Sequence, residues 1–174
     1  MNKKSKYSIY LAFVGVILIV IGFFSPINIP LGSTEYFWIW GLYGSEQIEF
    51  LEGFSLQFIL TIVVCSSIII ISIFLSIIQI YKNRNYPEDS SGLLWLILGC
   101  VIIVTIIYFS IAIHYELFEY YAIRKSPVTT EPAYSYHRNR FWSYNDIGYG
   151  VILPICGALI LIIVGILRGI RKNK

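Results

Sequence analysis

The sequence predicts an all-α membrane protein: an antiparallel four-helix transmembrane bundle, in one domain covering residues 1–174, with outer loops able to form a small extracellular β-ribbon or sheet. Three observations predict it. Hydrophobic residues make up 57% of the chain and charged residues 13%, where a water-soluble domain carries about 25% charged residues. Four apolar runs, about residues 7–24, 54–80, 93–113 and 148–166, contain no Asp, Glu, Lys or Arg. Each is long enough to cross a hydrocarbon core of about 30 Å as a helix, the form that satisfies every backbone amide within lipid.

The first run ends at Ser25-Pro26, and no small-x-small cleavage site precedes that point, so a retained span is expected rather than a removed signal. Ser8, Ala12, Gly15, Gly22 and Ser25 recur along it at helical steps. Small residues at such steps let membrane helices approach closely, and Gly15 and Gly22 are taken as packing positions.

The first outer loop covers about residues 25–53. "SPINIPLGST" reads as extended and turn-rich, because Pro26 and Pro30 restrict themselves and their predecessors. "TEYFWIW" is rich in strand-favouring residues, with Tyr36, Trp38 and Trp40 on one face and Phe37 and Ile39 on the other. "GLYGS" is expected to turn. "SEQIEFLEGF" reads as helix: Ser45 caps it, Glu46 suits its first turn, and Ile48, Leu51 and Phe54 share a face opposite Glu46, Glu49 and Glu52.

On the second span Thr61, Cys65, Ser72, Ser76 and Gln79 share one helical face. Cys65, Ser72 and Ser76 are assigned to helix packing. The third span is less regular, with Gly92, Gly99, Ser110 and His114 as its small or polar positions. A second outer loop, about residues 114–147, is tyrosine-rich; its "AYSYHRNRFWSY" is a candidate strand to pair with Glu35–Trp40. In the fourth span Gly150, Pro154, Gly157, Gly165 and Gly169 lie near one stripe, with Gly157 and Gly165 assigned to packing. Pro154 removes an amide donor and is expected to kink the helix.

Nine basic residues flank one side of the spans: Lys3, Lys4, Lys6, Lys82, Arg84, Arg168, Arg171, Lys172 and Lys174. Arg124, Lys125, Arg138 and Arg140 occupy the other side. The excess of Lys and Arg marks the cytoplasmic face, so a multi-pass cell-membrane protein with both termini in the cytoplasm is expected. The net charge of +3 then meets anionic lipid headgroups and calls for no nucleic-acid partner. Cys65, Cys100 and Cys156 each fall within a different span, in no C-x-x-C pair, and read as small packing residues.

Trp and Tyr settle at membrane interfaces, which accounts for Tyr7, Tyr81, Trp95 and Tyr149 near span ends. It accounts less well for aromatics in mid-loop, where a docked cap or protein contact surface is the other reading. Tyr36, Trp38, Trp40, Leu42, Tyr43 and Trp142 are therefore assigned to an extracellular cap that roofs the bundle and offers a contact surface.

The four-span layout with inside termini, together with Trp40, Gly41, Leu42 and Tyr43 in the first outer loop, resembles the claudin and peripheral myelin protein superfamily and its G-L-W element. The resemblance implies an outer sheet on a left-handed bundle, and lateral or cell-to-cell contacts through the loops. Tyr43 stands where the family carries tryptophan, and the family's following cysteine pair is absent, so a sheet here needs other anchorage.

Catalysis is not expected. His114, Glu116 and Glu119 fall on different sides of a helix, unlike the two ligands on one face of H-E-x-x-H, and no nucleophile motif or phosphate-cradling glycine loop is present. The first-loop glutamates lack the oxygen-rich spacing of a calcium loop. No cofactor or metal is expected. Two functions remain. One is a structural or interaction protein whose cap engages a membrane-protein partner, a second copy, or a channel to which it is auxiliary. The alternative is a small oligomeric channel or transporter lined by the Thr61–Gln79 face.

Overall fold

Four long helices account for most of the chain. A computed structural model describes residues 3–30, 36–40, 42–44, 48–50, 56–85, 92–124 and 145–172. The helices are α1 (Lys3–Phe23), α2 (Leu56–Asn85), α3 (Gly92–Arg124) and α4 (Tyr149–Lys172). Short strands join them: β1 (Asn28–Pro30), β2 (Tyr36–Phe37), β3 (Leu42–Gly44), β4 (Ile48–Phe50) and β5 (Asn145–Ile147).

Helices α2, α3 and α4 each contain a segment long and apolar enough to cross a membrane, whereas the apolar part of α1, Tyr7–Phe23, is shorter. Their outward faces are apolar too: Phe13, Ile17, Val63, Phe74, Val104 and Ile163 are exposed. Water-soluble proteins do not expose contiguous apolar surface on this scale. The chain is embedded in a membrane.

Helix α4 packs between α1 and α3, and α2 touches α1 and α3 more sparingly. Helices α1 and α4 run in opposite directions. Ser8 meets Arg168, Gly15 lies on Gly157, and Gly22 lies on the Pro154 ring. The core between the helices is a stack of apolar layers, with Ala12, Val16 and Ile19 from α1 and Ile62, Cys65 and Ile69 from α2. Trp95, Ile102, Ile106 and Phe109 complete it from α3, and Ala158, Leu161 and Val164 from α4. Phe58 and Phe109 stack at 6.2 Å where α2 meets α3 near the strands.

Cys65 is buried while Cys100 and Cys156 face outward. A lipid-soluble maleimide is therefore expected to modify Cys100 and Cys156 in the folded protein and to spare Cys65 until the helices are unfolded. Mass spectrometry of the peptides reads this directly, and equal rates at the three sites would contradict the packing described.

Several local expectations need correction. Residues 48–50 are strand rather than helix. β4 pairs antiparallel with β3, with Leu42 opposite Phe50 and Gly44 opposite Ile48. The alternation Ile48-Glu49-Phe50 is itself a period-two signal, and pairing on β3 satisfies backbone groups that a short isolated helix would leave open. For the same reason Leu42–Gly44 is strand and not turn. Helix α2 begins at Leu56, so no acidic helical extension includes Ile48–Phe50. Helix α3 runs on to Arg124, beyond its apolar segment Gly92–Ile113 and into the outer loop expected from about residue 114, since His114–Arg124 contains neither Gly nor Pro. Tyr36–Phe37 pairs with Tyr43–Gly44; the expected partner segment, residues 133–144, lies outside the described residues. β5 pairs instead with β1, Asn28 opposite Ile147.

Candidate functional site

The cap is built from a segment that alternates between anchor and display. Phe37 and Ile39 are 4% and 2% exposed and join the core, while Tyr36 is 40% exposed. Trp38 and Trp40 are half-buried. Burying Phe37 and Ile39 contributes about 1.5–3 kcal/mol each, enough to hold a short extended segment that a two-residue strand alone would not fix.

Polar contacts add to this anchorage. The buried Asn28 Oδ1 accepts a hydrogen bond from the Phe37 N–H at 2.9 Å. The Phe37 carbonyl accepts one from the Ile27 N–H at 2.7 Å. Ser66 on α2 donates its hydroxyl to the Ile39 carbonyl at 3.0 Å. The Trp38 indole N–H donates to the Phe24 carbonyl, at the end of α1, at 3.2 Å. The first amides of α4, which have no partner inside their own helix, are taken up by the same segment. Gly148 and Gly150 donate to the Ile27 and Pro26 carbonyls, both at 2.7 Å. These glycines permit the approach: a Cβ on Gly148 would lie 2.5 Å from the Pro26 oxygen. Anchorage without a cysteine pair is thus supplied by Asn28, Ser66 and the start of α4.

Of the expected cap residues, Tyr36 and Trp38 lie side by side with ring centroids 6.3 Å apart. Trp40 turns toward the bundle, edge-on to Phe24 at 6.4 Å. Leu42 and Tyr43 belong to β3, and Trp142 lies outside the described residues.

The packing positions come together in pairs. Gly15 lies on Gly157, so an added Cβ at Gly15 would meet the Gly157 carbonyl oxygen at 2.9 Å, and Gly165 lies on Gly92. Cys65, Ser72 and Ser76 are all buried on the inward face of α2. That face is enclosed within one chain, so lining a pore between copies with it would require the helices to part. Gly169 is exposed, and a Cβ added there would meet nothing among the described residues, although its backbone nitrogen lies beside Gly92.

Two side chains are placed otherwise than expected. Trp95 is not an interfacial residue but 1% exposed. It opens the stripe Trp95, Leu98, Ile102, Ile106, Phe109 and Ile113, whose steps of three and four give one helical face, and Gly92 one turn earlier lets α3 close on α4. Tyr7, Tyr81 and Tyr149 remain exposed. Arg168, counted with the basic flank, is 8% exposed. Its Nε and Nη2 donate to the Ser8 hydroxyl at 3.2 and 3.0 Å. Its place four residues after Val164 puts it on the inward stripe of α4, which is the signal that finds it.

Compared with protein-family models, with curated proteins and with solved structures, the chain matches none.

Proposed function

We propose that this chain is a four-span protein of the cell membrane, with cytoplasmic termini and the strands outside. Its aromatic cap makes lateral or cell-surface contacts, with a membrane-protein partner, a second copy, or a channel to which it is an auxiliary subunit. The observation that carries the proposal is the alternation in the cap. Phe37 and Ile39 are spent on anchorage, while Tyr36 stays exposed, with the half-buried Trp38 beside it, on a segment fixed by Asn28 and Ser66. A rigidly held aromatic pair offers large contact area at low entropic cost on binding. In this reading the four helices form an antiparallel bundle, and α1 crosses with its shorter apolar stretch by placing Tyr7 at the headgroups. Trp40 of the W-G-L-Y element then precedes β3, and its Leu42 and Tyr43 lie within that strand.

The test replaces Tyr36 and Trp38 together with serine and compares photo-crosslinking in native membranes with the unsubstituted chain. The crosslinked species is expected to fall at least about tenfold, as loss of roughly 1.4 kcal/mol or more of contact energy requires, with an unchanged elution profile. Trp40 is left intact, because its ring packs on Phe24. An undiminished crosslink would remove the cap from the contact.

A channel is the second reading, favoured by the polar inward face of α2. Ser72→Leu with Ser76→Leu should abolish solute flux in vesicles with assembly intact if that reading holds. Loss of assembly alone assigns these serines to packing.

A further inference from the structure

The inward face of α2 changes character along its length. Toward the strands it presents Phe58, Ile62, Cys65 and Ile69, and the Ser66 hydroxyl is already bonded to Ile39. Toward the other end it presents Ser72, Ser76, Gln79 and Asn83, all buried. In that polar half, Ser76 Oγ and both amide atoms of Asn83 have no hydrogen-bond partner among the described residues; nor does Trp95 Nε1 on α3. Ser76 and Asn83 are 0% exposed and Trp95 is 1% exposed. Each buried polar atom left without a partner costs about 1–3 kcal/mol. Such atoms in one region therefore call for an occupant that satisfies them.

The geometry brings them to one end of the interior. The Phe58–Phe109 stack sets the pairing of α2 with α3. Antiparallel helices advance equally, at about 1.5 Å per residue, so Ser76 lies level with the start of α3 at Gly92. Side chains lean toward the N-terminus of their own helix. Trp95 starts about 6 Å above Ser76 and leans down to its level, while Asn83 starts about 10 Å below and leans up toward it, with the buried Gln79 between. Gly92 rests on α4 beside Arg168, where an added Cβ would meet the Arg168 Cβ at 3.2 Å. The buried guanidinium and Ser8 share this layer.

We propose that this end of the interior holds a short file of ordered water molecules, bonded by Ser76 and Trp95 at one end and by Asn83 at the other. The apolar side chains of Ile69, Ile106, Phe58 and Phe109 close it toward the strands. The donor and acceptor pattern selects water. Trp95 Nε1 and Asn83 Nδ2 donate, Asn83 Oδ1 accepts, and Ser76 does both. A carboxylate or phosphate has no proton for Asn83 Oδ1, and an apolar occupant satisfies none of the four atoms. Buried waters of this kind make about three hydrogen bonds each. Hydration here also lowers the cost of keeping Arg168 within a membrane protein's interior, where an ionised side chain is expensive unless water or polar groups reach it.

Two measurements on the full chain in lipid nanodiscs test the proposal. In the first, indole nitrogens are isotope-labelled and magnetisation transfer from water to each indole N–H is recorded, with Trp95→Phe identifying the Trp95 signal. Transfer to Trp95 is expected. In the second, Ser76→Cys is placed in a chain carrying Cys100→Ser and Cys156→Ser and challenged with Ag⁺, a probe close to water in size. Exposure to water governs such thiol reactivity, and Ser76→Cys is expected to react at least about tenfold faster than the native Cys65 in the same chain. A Trp95 indole that receives no transfer from water overturns the proposal. A Ser76→Cys thiol as protected as Cys65 overturns it equally.

Discussion

Gly22→Ala is expected to destabilise the protein by about 1–3 kcal/mol, the usual cost of overpacking a close-packed interior, and Gly22→Leu to exceed that range. A Cβ at Gly22 would overlap the ring carbons of Pro154 and lie 3.0 Å from its backbone nitrogen. The obstruction is a ring locked to backbone, with no rotamer into which it can retreat. Helix α1 would have to lift from α4 along a seam that also holds Gly15 on Gly157 and Ser8 on Arg168. In membranes, where apolar burial drives helix association weakly, close backbone approach supplies much of the attraction, so a local overlap spreads along the seam. The check is a double-mutant cycle in thermal or detergent unfolding. Pro154→Ala removes the ring, so the Gly22→Ala penalty should shrink in its presence, giving a coupling of about 0.5–3 kcal/mol. Additive effects would show that Gly22 and Pro154 are not in contact.

Asn28→Leu is expected to have the next largest effect, about 1–3 kcal/mol, because it leaves a buried backbone donor without its acceptor. Asn28 is 0% exposed, and its Oδ1 holds the Phe37 N–H. Leucine has similar bulk and cannot accept that bond. The loss should concentrate in the cap, since the Phe37 carbonyl and the Ser66–Ile39 bond are tied to the same segment. Trp38, whose indole N–H reaches Phe24, reports on it. Its fluorescence is expected to shift to the red and its quenching by a water-soluble quencher to rise, while helix content stays unchanged. Asn28→Asp, which retains an acceptor at this position, should recover part of the loss. An Asn28→Leu protein with native Trp38 quenching would show that the cap is held by apolar burial alone.

The helices were legible because lipid imposes a length and excludes charge, and both are visible in residue type. The inward face of α2 was legible for a related reason: Cys65, Ser72, Ser76 and Gln79 contrast with the isoleucines around them. The contrast of buried Phe37 with exposed Tyr36 followed from strand geometry, while Ile39 is buried from the turn beyond the strand. Contrast was missing elsewhere. In α3 nearly every position is apolar, so the stripe from Trp95 to Ile113 has no polar face to set it off. Trp95 was read by its place near a span end, where tryptophan prefers the interface. Arg168 was read by charge and proximity to the terminus, although its four-residue step from Val164 puts it on the packed face. Glu49 in Ile48–Phe50 stands three residues from both Glu46 and Glu52, steps that suit a helix, and only the pairing with β3 decides for strand. Asn83 escaped notice because it lies among Lys82, Arg84 and Asn85, beyond the apolar run.

The central claim is that the aromatic cap and the chain termini lie on opposite sides of the membrane. Tyr36→Cys and Lys174→Cys, each in a chain with Cys100→Ser and Cys156→Ser, test it with a membrane-impermeant maleimide on intact cells and after lysis. Tyr36→Cys is expected to label on intact cells and Lys174→Cys only once the cells are opened. Labelling of Tyr36→Cys that waits for lysis, or labelling of both on intact cells, would contradict the account.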